Sequence, residues 1–195
     1  MPAALVLEAL TVARGDRLLF EGLSLRAEPG AAVHLVGRNG AGKTSLLEAI
    51  AGLRRPEAGR IDGPAPERLH WVGHRNALHP ALSAVENLEH WCGLHDADPA
   101  GIAPALDRLQ LKAARHRPAR TLSTGQKRRS ALARLLLQRR EWWLLDEPLA
   151  GLDTDGATLV AGLIAEHCAS GGGVLFTSHQ ALPVTGLPLQ QWGLR

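Results

Sequence analysis

Residues Gly37-Arg38-Asn39-Gly40-Ala41-Gly42-Lys43-Thr44 follow the spacing G-x-x-x-x-G-K-[ST]. Glycines at 40 and 42 let a backbone wrap closely around phosphate oxygens, with its N–H groups turned inward. A helix starting at Lys43 would add the positive potential of its N-terminus. Lys43 can neutralise β- and γ-phosphates, and the Thr44 hydroxyl can ligate Mg²⁺. A chance glycine turn is the competing explanation. The setting argues against it, because an apolar run at 31–36 suits a buried strand and leucine and alanine recur at helical spacing over 43–53.

A phosphate loop of this kind needs a carboxylate for its metal. The run Trp142-Trp143-Leu144-Leu145 ends in Asp146-Glu147-Pro148. So apolar a strand belongs mid-sheet, covered on both faces. Asp146 at its carboxyl end can hold Mg²⁺ directly or through water, and Glu147 can polarise an attacking water. A second apolar run, 173–178, ends at His179. A histidine at a strand end is usually incidental, but the carboxyl edge of an open α/β sheet is where ligands bind. Ser123 in Leu122-Ser123-Thr124-Gly125-Gln126 is a natural N-cap for the helix that follows, in which Leu132, Leu135 and Leu136 share a face. Its first turn would offer free N–H groups to an anion.

The elements that hold these residues can be read around them. Residues 5–12 and 18–26 alternate as strands, with Arg14-Gly15-Asp16 as a turn between them, and Leu69-His70-Trp71-Val72-Gly73 reads as a short buried strand. Glu28-Pro29-Gly30 and Pro56-Glu57-Ala58-Gly59 read as breaks. Between His74 and Leu122 no strand is expected. Ser83-Ala84-Val85-Glu86 is a capping box that starts a helix through Trp91, and 101–111 is a second helix. Asp153 can cap a helix over 154–169.

At 195 residues, 45% hydrophobic and 21% charged, the chain is sized for one globular domain. A net charge of +3 is too mild to imply nucleic-acid binding, and the richer basic stretch 115–140 reads as a solvated face. Cys92 and Cys168 have no metal-ligand spacing and read as buried thiols. No apolar run is long enough to cross a membrane, and the N-terminus does not read as a signal peptide, so the expectation is a cytoplasmic protein whose membrane role comes through partners.

Taken in order, residues 37–44, 122–126, 145–148, 151–153 and His179 resemble the Walker A, signature, Walker B, D-loop and H-switch of ABC transporter ATP-binding subunits. The likeness spans nearly the whole chain. It implies an α/β fold of the P-loop NTPase ABC cassette type. The core sheet would be mostly parallel, with antiparallel N-terminal strands. Residues 1–73 and 123–195 would form the nucleotide-binding core and 74–122 an inserted helical subdomain. It also implies ATP and Mg²⁺ as cofactors and a head-to-tail dimer closing on two ATP molecules. Contact with ATP would then extend through Ser45. Ser123, Thr124, Gly125 and Gln126 would act on the partner's ATP, Asp153 would couple the two sites, and Glu147 and His179 would be catalytic.

Two positions depart from that family. Its stacking aromatic before the first glycine turn is replaced by Arg14, in a chain with no tyrosine, and its Q-loop glutamine by His74. Gly73-His74, Glu86-Asn87-Leu88, the LSTGQ signature and the chain length together resemble the heme-exporter ATP-binding subunits of cytochrome c maturation. That likeness implies integral membrane partners and a peripheral place on the cytoplasmic face of the cell membrane. No heme-ligand motif is evident. The alternatives are an ATPase for another small exporter, or a nucleotide-gated module of translation or repair. The latter usually pairs two cassettes or carries a long coiled insertion, and neither is present.

Overall fold

The computed structural model describes residues 3–183 and 186–194. Its centre is a five-stranded parallel sheet made of β3 (Ala32–Gly37), β5 (Leu69–Val72), β6 (Trp142–Leu145), β7 (Gly173–Thr177) and β8 (Leu189–Leu194), in the order β5-β6-β7-β3-β8. β6 explains why a parallel sheet forms here. Its four residues are all buried, and they alternate between two cores. Trp142 and Leu144 pack with Leu46 and Leu47 of α1 (Lys43–Ile50), while Trp143 and Leu145 pack with Val160 and Ile164 of α6 (Thr154–Ala169). Each such side chain contributes about 1.5–3 kcal/mol by burial, so the strand is held from both faces.

A separate antiparallel sheet, β2-β1-β4, flanks this core. It pairs β1 (Leu5–Arg14) with β2 (Arg17–Ala27) and with β4 (Ala58–Asp62). Residues 74–122 contain no named strand, only one isolated bridge between Ser83 and Pro118. They fold as α2 (Ala84–His95), α3 (Ile102–Arg108) and short turns, packed through Leu88, Leu106 and Leu109. The capping box starts α2 as the sequence predicts: Ser83 Oγ accepts from the Glu86 N–H, and the Glu86 carboxylate accepts from the Ser83 N–H.

Two expectations need correction, and one strand was not anticipated. Residues 56–59 are not simply a break, because β4 starts at Ala58. It is a mostly exposed edge strand, so it carries no buried alternation. The C-terminal segment supplies β8, also an edge strand, whose residues are exposed except for Trp192 and Leu194. The helix after the signature is interrupted at Ala133, giving α4 (Thr124–Leu132) and α5 (Arg134–Leu137).

Candidate functional site

The loop between β3 and α1 has the shape its glycines allow. Gly40 and Gly42 sit at φ 81° and 95°, left-handed values that a side chain disfavours. A Cβ on Gly42 would also come within 3.1 Å of Leu19 and Phe20. Lys43 folds over the loop, and its Nζ donates to the carbonyls of Gly37 (2.8 Å) and Arg38 (3.2 Å). This holds the ammonium above the loop, ready for a phosphate. β8 backs the loop, since Leu194 O would lie 2.7 Å from a Cβ on Gly37.

The carboxylates arrive from β6. The Thr44 hydroxyl donates to Asp146 Oδ2 at 2.9 Å, so the two oxygens proposed for a metal are already together. Asp146 is 3% exposed, and its other oxygen accepts from the Thr177 hydroxyl at 2.8 Å. Hard oxygen donors beside a phosphate loop suit Mg²⁺. Glu147 has φ 53°, a strained value for a residue with a side chain. Its N–H donates to Thr177 Oγ1 at 2.8 Å, and its Oε2 accepts from the His179 N–H at 3.2 Å. His179 Nε2 lies 3.5 Å from Glu147 Oε1.

An open cleft of about 530 Å³ gathers these groups: Lys43, Thr44, Ser45, Asp146, Glu147 and His179 all line it. Asn39, Gly40, Gly42, Arg14 and His74 reach it too, so both departures from the family pattern face the same space. Gly37, Arg38 and Ala41 shape the loop without lining the cleft. Ser123, Thr124, Gly125 and Gln126 do not line it either. Ser123 Oγ accepts from the Gln126 N–H, and the Gln126 side chain accepts from the Ser123 N–H, a second capping box. Gly125 and Thr124 press on Gly151, whose carbonyl would lie 2.9 Å from a Cβ on Gly125. Asp153 Oδ1 caps α6 by accepting from the Gly156 N–H at 2.9 Å.

Comparison with known proteins agrees with this geometry. Residues 20–150 match the family model for ABC transporters. The chain belongs to the ABC transporter family. It is 45% identical to the "Cytochrome c biogenesis ATP-binding export protein CcmA" of Rhodopseudomonas palustris strain HaA2, over 90% of this chain and 92% of that one. The protein of the same name from Methylococcus capsulatus is 45% identical over 94% and 95%. An ABC transporter ATP-binding protein of Pyrococcus furiosus superposes with a TM-score of 0.84 at 24% identity, covering 98% of this chain and 97% of that one, and so shares the fold. ABC ATP-binding proteins are ATP hydrolases that dimerise and work with membrane partners, and this chain is one of them. Among its described residues no helix is long and apolar enough to cross a membrane.

Several residues that hold this ABC site escaped the sequence reading. Arg128 lies in the basic stretch read as a solvated face, yet it is 2% exposed. Its guanidinium donates to the carbonyls of Asp146 (2.6 Å), Gly73 (2.8 Å) and Pro148 (3.4 Å) and to Asn76 Oδ1 (3.1 Å). Burial lowers its pKa to about 10, while Asp146 and Glu147 act in the opposite direction, so it stays charged at neutral pH. Thr177 is fully buried, and His34 Nε2 donates to the Ser178 carbonyl at 3.0 Å, fixing the strand end that carries His179. No motif marks these three. Their signal is only a polar residue inside, or beside, an apolar run. Cys92 and Cys168 are buried as expected, and burial pushes the Cys168 thiol up to about 12.

Proposed function

We propose that this chain is the ATP-hydrolysing subunit of a membrane export complex serving cytochrome c biogenesis, powering heme export or the release of a heme-loaded chaperone. The observation that carries the reading is the convergence of Lys43, Thr44–Asp146 and Glu147–His179 on one cleft, in a chain similar to named cytochrome c biogenesis export proteins over nine-tenths of its length.

In this reading the loop N–H groups and Lys43 bind and orient the β- and γ-phosphates of ATP. Gly37 to Ser45 form the cradle, and Arg14 lays its guanidinium against the adenine. Thr44 and Asp146 would hold Mg²⁺, which supplies charge neutralisation between the phosphates. Glu147 accepts the proton of the attacking water, and its left-handed backbone aims the carboxylate into the cleft. His179 contacts the γ-phosphate and steadies Glu147. His74 takes the place of the Q-loop glutamine; a neutral imidazole can accept one hydrogen bond there. Ser123, Thr124, Gly125 and Gln126 lie outside this chain's own cleft. They would complete the site of a second copy in an ATP sandwich, with Asp153 near the junction.

Membrane subunits would dock in the groove between β5 and α2, a cleft of about 900 Å³ that includes Trp71, Trp91, Arg75 and Arg134. That groove and the nucleotide cleft share Arg14, Thr44, His74 and Asp146, so docking and phosphate chemistry meet along this line, with His74 on it. Glu86 and Asn87, at the start of α2, already have structural partners, although Glu86 is exposed. Glu86 belongs to the capping box, and Asn87 bonds the His79 main chain and the carbonyls of Leu82 and Ser83. Arg75→Glu is therefore the cleaner probe of docking. The test of function is complementation of a deletion strain with wild-type or Glu147→Gln protein, scored by covalently bound heme in c-type cytochromes with and without added heme. Restoration by wild type alone supports the proposal. Normal cytochromes in the deletion strain would overturn it.

A further inference from the structure

Arg128 is a charged side chain placed where a leucine would be expected. It leaves the second turn of α4, three residues after Gly125, and runs into the core. Every acceptor it meets is neutral: three carbonyls and one amide oxygen. No carboxylate lies within ion-pairing distance of it among the described residues. A buried guanidinium without a carboxylate partner is a costly choice if stability alone is served, since an apolar residue of similar volume fills such a space at least as well.

The identity of its acceptors suggests what else is served. The carbonyls of Asp146 and Pro148 belong to the residues on either side of Glu147. Gly73 and Asn76 bracket His74 and Arg75. One side chain thus grips the main chain flanking both the candidate general base and the candidate Q-loop substitute. It is itself anchored in the helix whose first turn carries Ser123 and Gly125. We infer that Arg128 is a positioning residue that ties the signature helix to Glu147 and His74 of the same chain, so that engagement of the signature by a partner's ATP adjusts this chain's own hydrolytic groups. This rests on the ATP-sandwich reading above. The wire is short and contiguous: one helix, one guanidinium, two loop segments. It needs arginine in particular. A planar fork with several donors reaches acceptors in different directions, whereas a lysine ammonium is a point charge that cannot span them.

The test uses the full chain with Arg128→Lys, which keeps the charge, and Arg128→Met, which keeps the bulk. Asn76→Ala removes only the outermost acceptor. ATP affinity, kcat per folded chain and thermal midpoint are measured for each. ATP-dependent dimerisation is measured in a Glu147→Gln background. The expected result for Arg128→Lys is a fall in kcat of about tenfold or more, with the Kd for ATP within about threefold of wild type, because Lys43 and its loop are untouched. Asn76→Ala should lower kcat by about two- to fivefold at unchanged Kd. The trapped dimer of Glu147→Gln should need about tenfold more ATP once Arg128→Lys is added. A merely structural arginine would lower the thermal midpoint and the folded fraction but leave kcat per folded chain alone. Unchanged kcat in folded Arg128 variants overturns the inference. If those variants do not fold, unchanged kcat in Asn76→Ala overturns it instead. Failure of Glu147→Gln alone to dimerise with ATP counts against the sandwich, and Arg128 is then judged on kcat within the single chain.

Discussion

Thr177→Val is the most direct test of how the carboxylates are held. Valine matches the shape of threonine and keeps its preference for a strand, so the change removes one hydroxyl and little else. That hydroxyl accepts from the Glu147 N–H at 2.8 Å and donates to Asp146 Oδ1 at 2.8 Å, in a residue with no exposed surface. Losing a bond to a charged acceptor costs about 1.5–3 kcal/mol, and an unpaired buried N–H costs about 1–3 kcal/mol more. A destabilisation of about 3 kcal/mol is expected, which lowers the thermal midpoint by about 6–12 °C in a chain of this size. The kinetic effect is separate. Glu147 is held at φ 53° against a strain of about 1–3 kcal/mol, and the lost bond is one of its restraints. A relaxation that displaces the carboxylate by about 1 Å costs up to about 10²-fold. Phosphate release assays should therefore show kcat lower by about 10- to 100-fold, with ATP affinity within about threefold of wild type. Thr177→Ser restores the hydroxyl and should recover most of the rate. Folded Thr177→Val protein with kcat within about twofold of wild type would refute the chain of reasoning from hydroxyl to carboxylate.

Other outcomes follow from the same geometry. Lys43→Ala removes the ammonium that folds over the phosphate loop and should abolish ATP binding or turnover, measured by titration with labelled ATP; wild-type turnover would place the reaction elsewhere. Glu147→Gln should slow hydrolysis by about 10² or more at retained affinity, while Asp146→Asn should weaken Mg²⁺ dependence; identical phenotypes would contradict their separate roles. His74→Gln should keep or raise ATPase activity and His74→Ala should lower it, and equal activity in both would remove His74 from the site. Stability should fall in acid for a reason unrelated to the site. Burial lowers His70 and His167 to about 4, so the unfolded chain binds the extra protons; the stability they contribute is present above pH 6.5 and lost as pH falls towards 4. The loss is about 1–3 kcal/mol for each, read from urea midpoints at pH 7.5 and 4.5, and His70→Gln with His167→Gln should flatten it. An unaltered pH dependence in the double variant would show that these imidazoles are not its source.

What was legible in the sequence, and what was not, divides along a physical line. The phosphate loop, β6 with its two carboxylates, the Ser83–Glu86 capping box and the Ser123 and Asp153 caps are local: spacing along the chain fixes each, and each is found in place. β4 and β8 were missed because neither carries a buried run: β4 is exposed over its first three residues, and β8 over its first three and at Gly193, so their apolar residues mark no covered face. Arg128, Thr177 and His34 were missed for a related reason. Their roles depend on partners many residues away, as when Arg128 reaches Gly73 and Asp146, and no local pattern distinguishes a buried arginine from one on a solvated helix face.

The same division bears on how the site works. The groups proposed to bind phosphate and metal come from one loop and one strand end, so a single chain can assemble them without help. The segment that finishes the chemistry in the proposed reading, Ser123 to Gln126, is folded and capped but does not line its own cleft, and it packs against Gly151 near the Asp153 cap. Both of its capping partners are already satisfied, so nothing in the segment itself would pull it towards this chain's phosphates. Its position becomes informative to the rest of the chain only through what α4 touches on its inner side. Among the described residues, Arg128 is the side chain of that helix that bonds both flanks of Glu147. In the proposed reading, a helix that senses a neighbour's nucleotide and a carboxylate that acts on its own are thus separated by one buried guanidinium, and altering that group should divide ATP binding from ATP turnover.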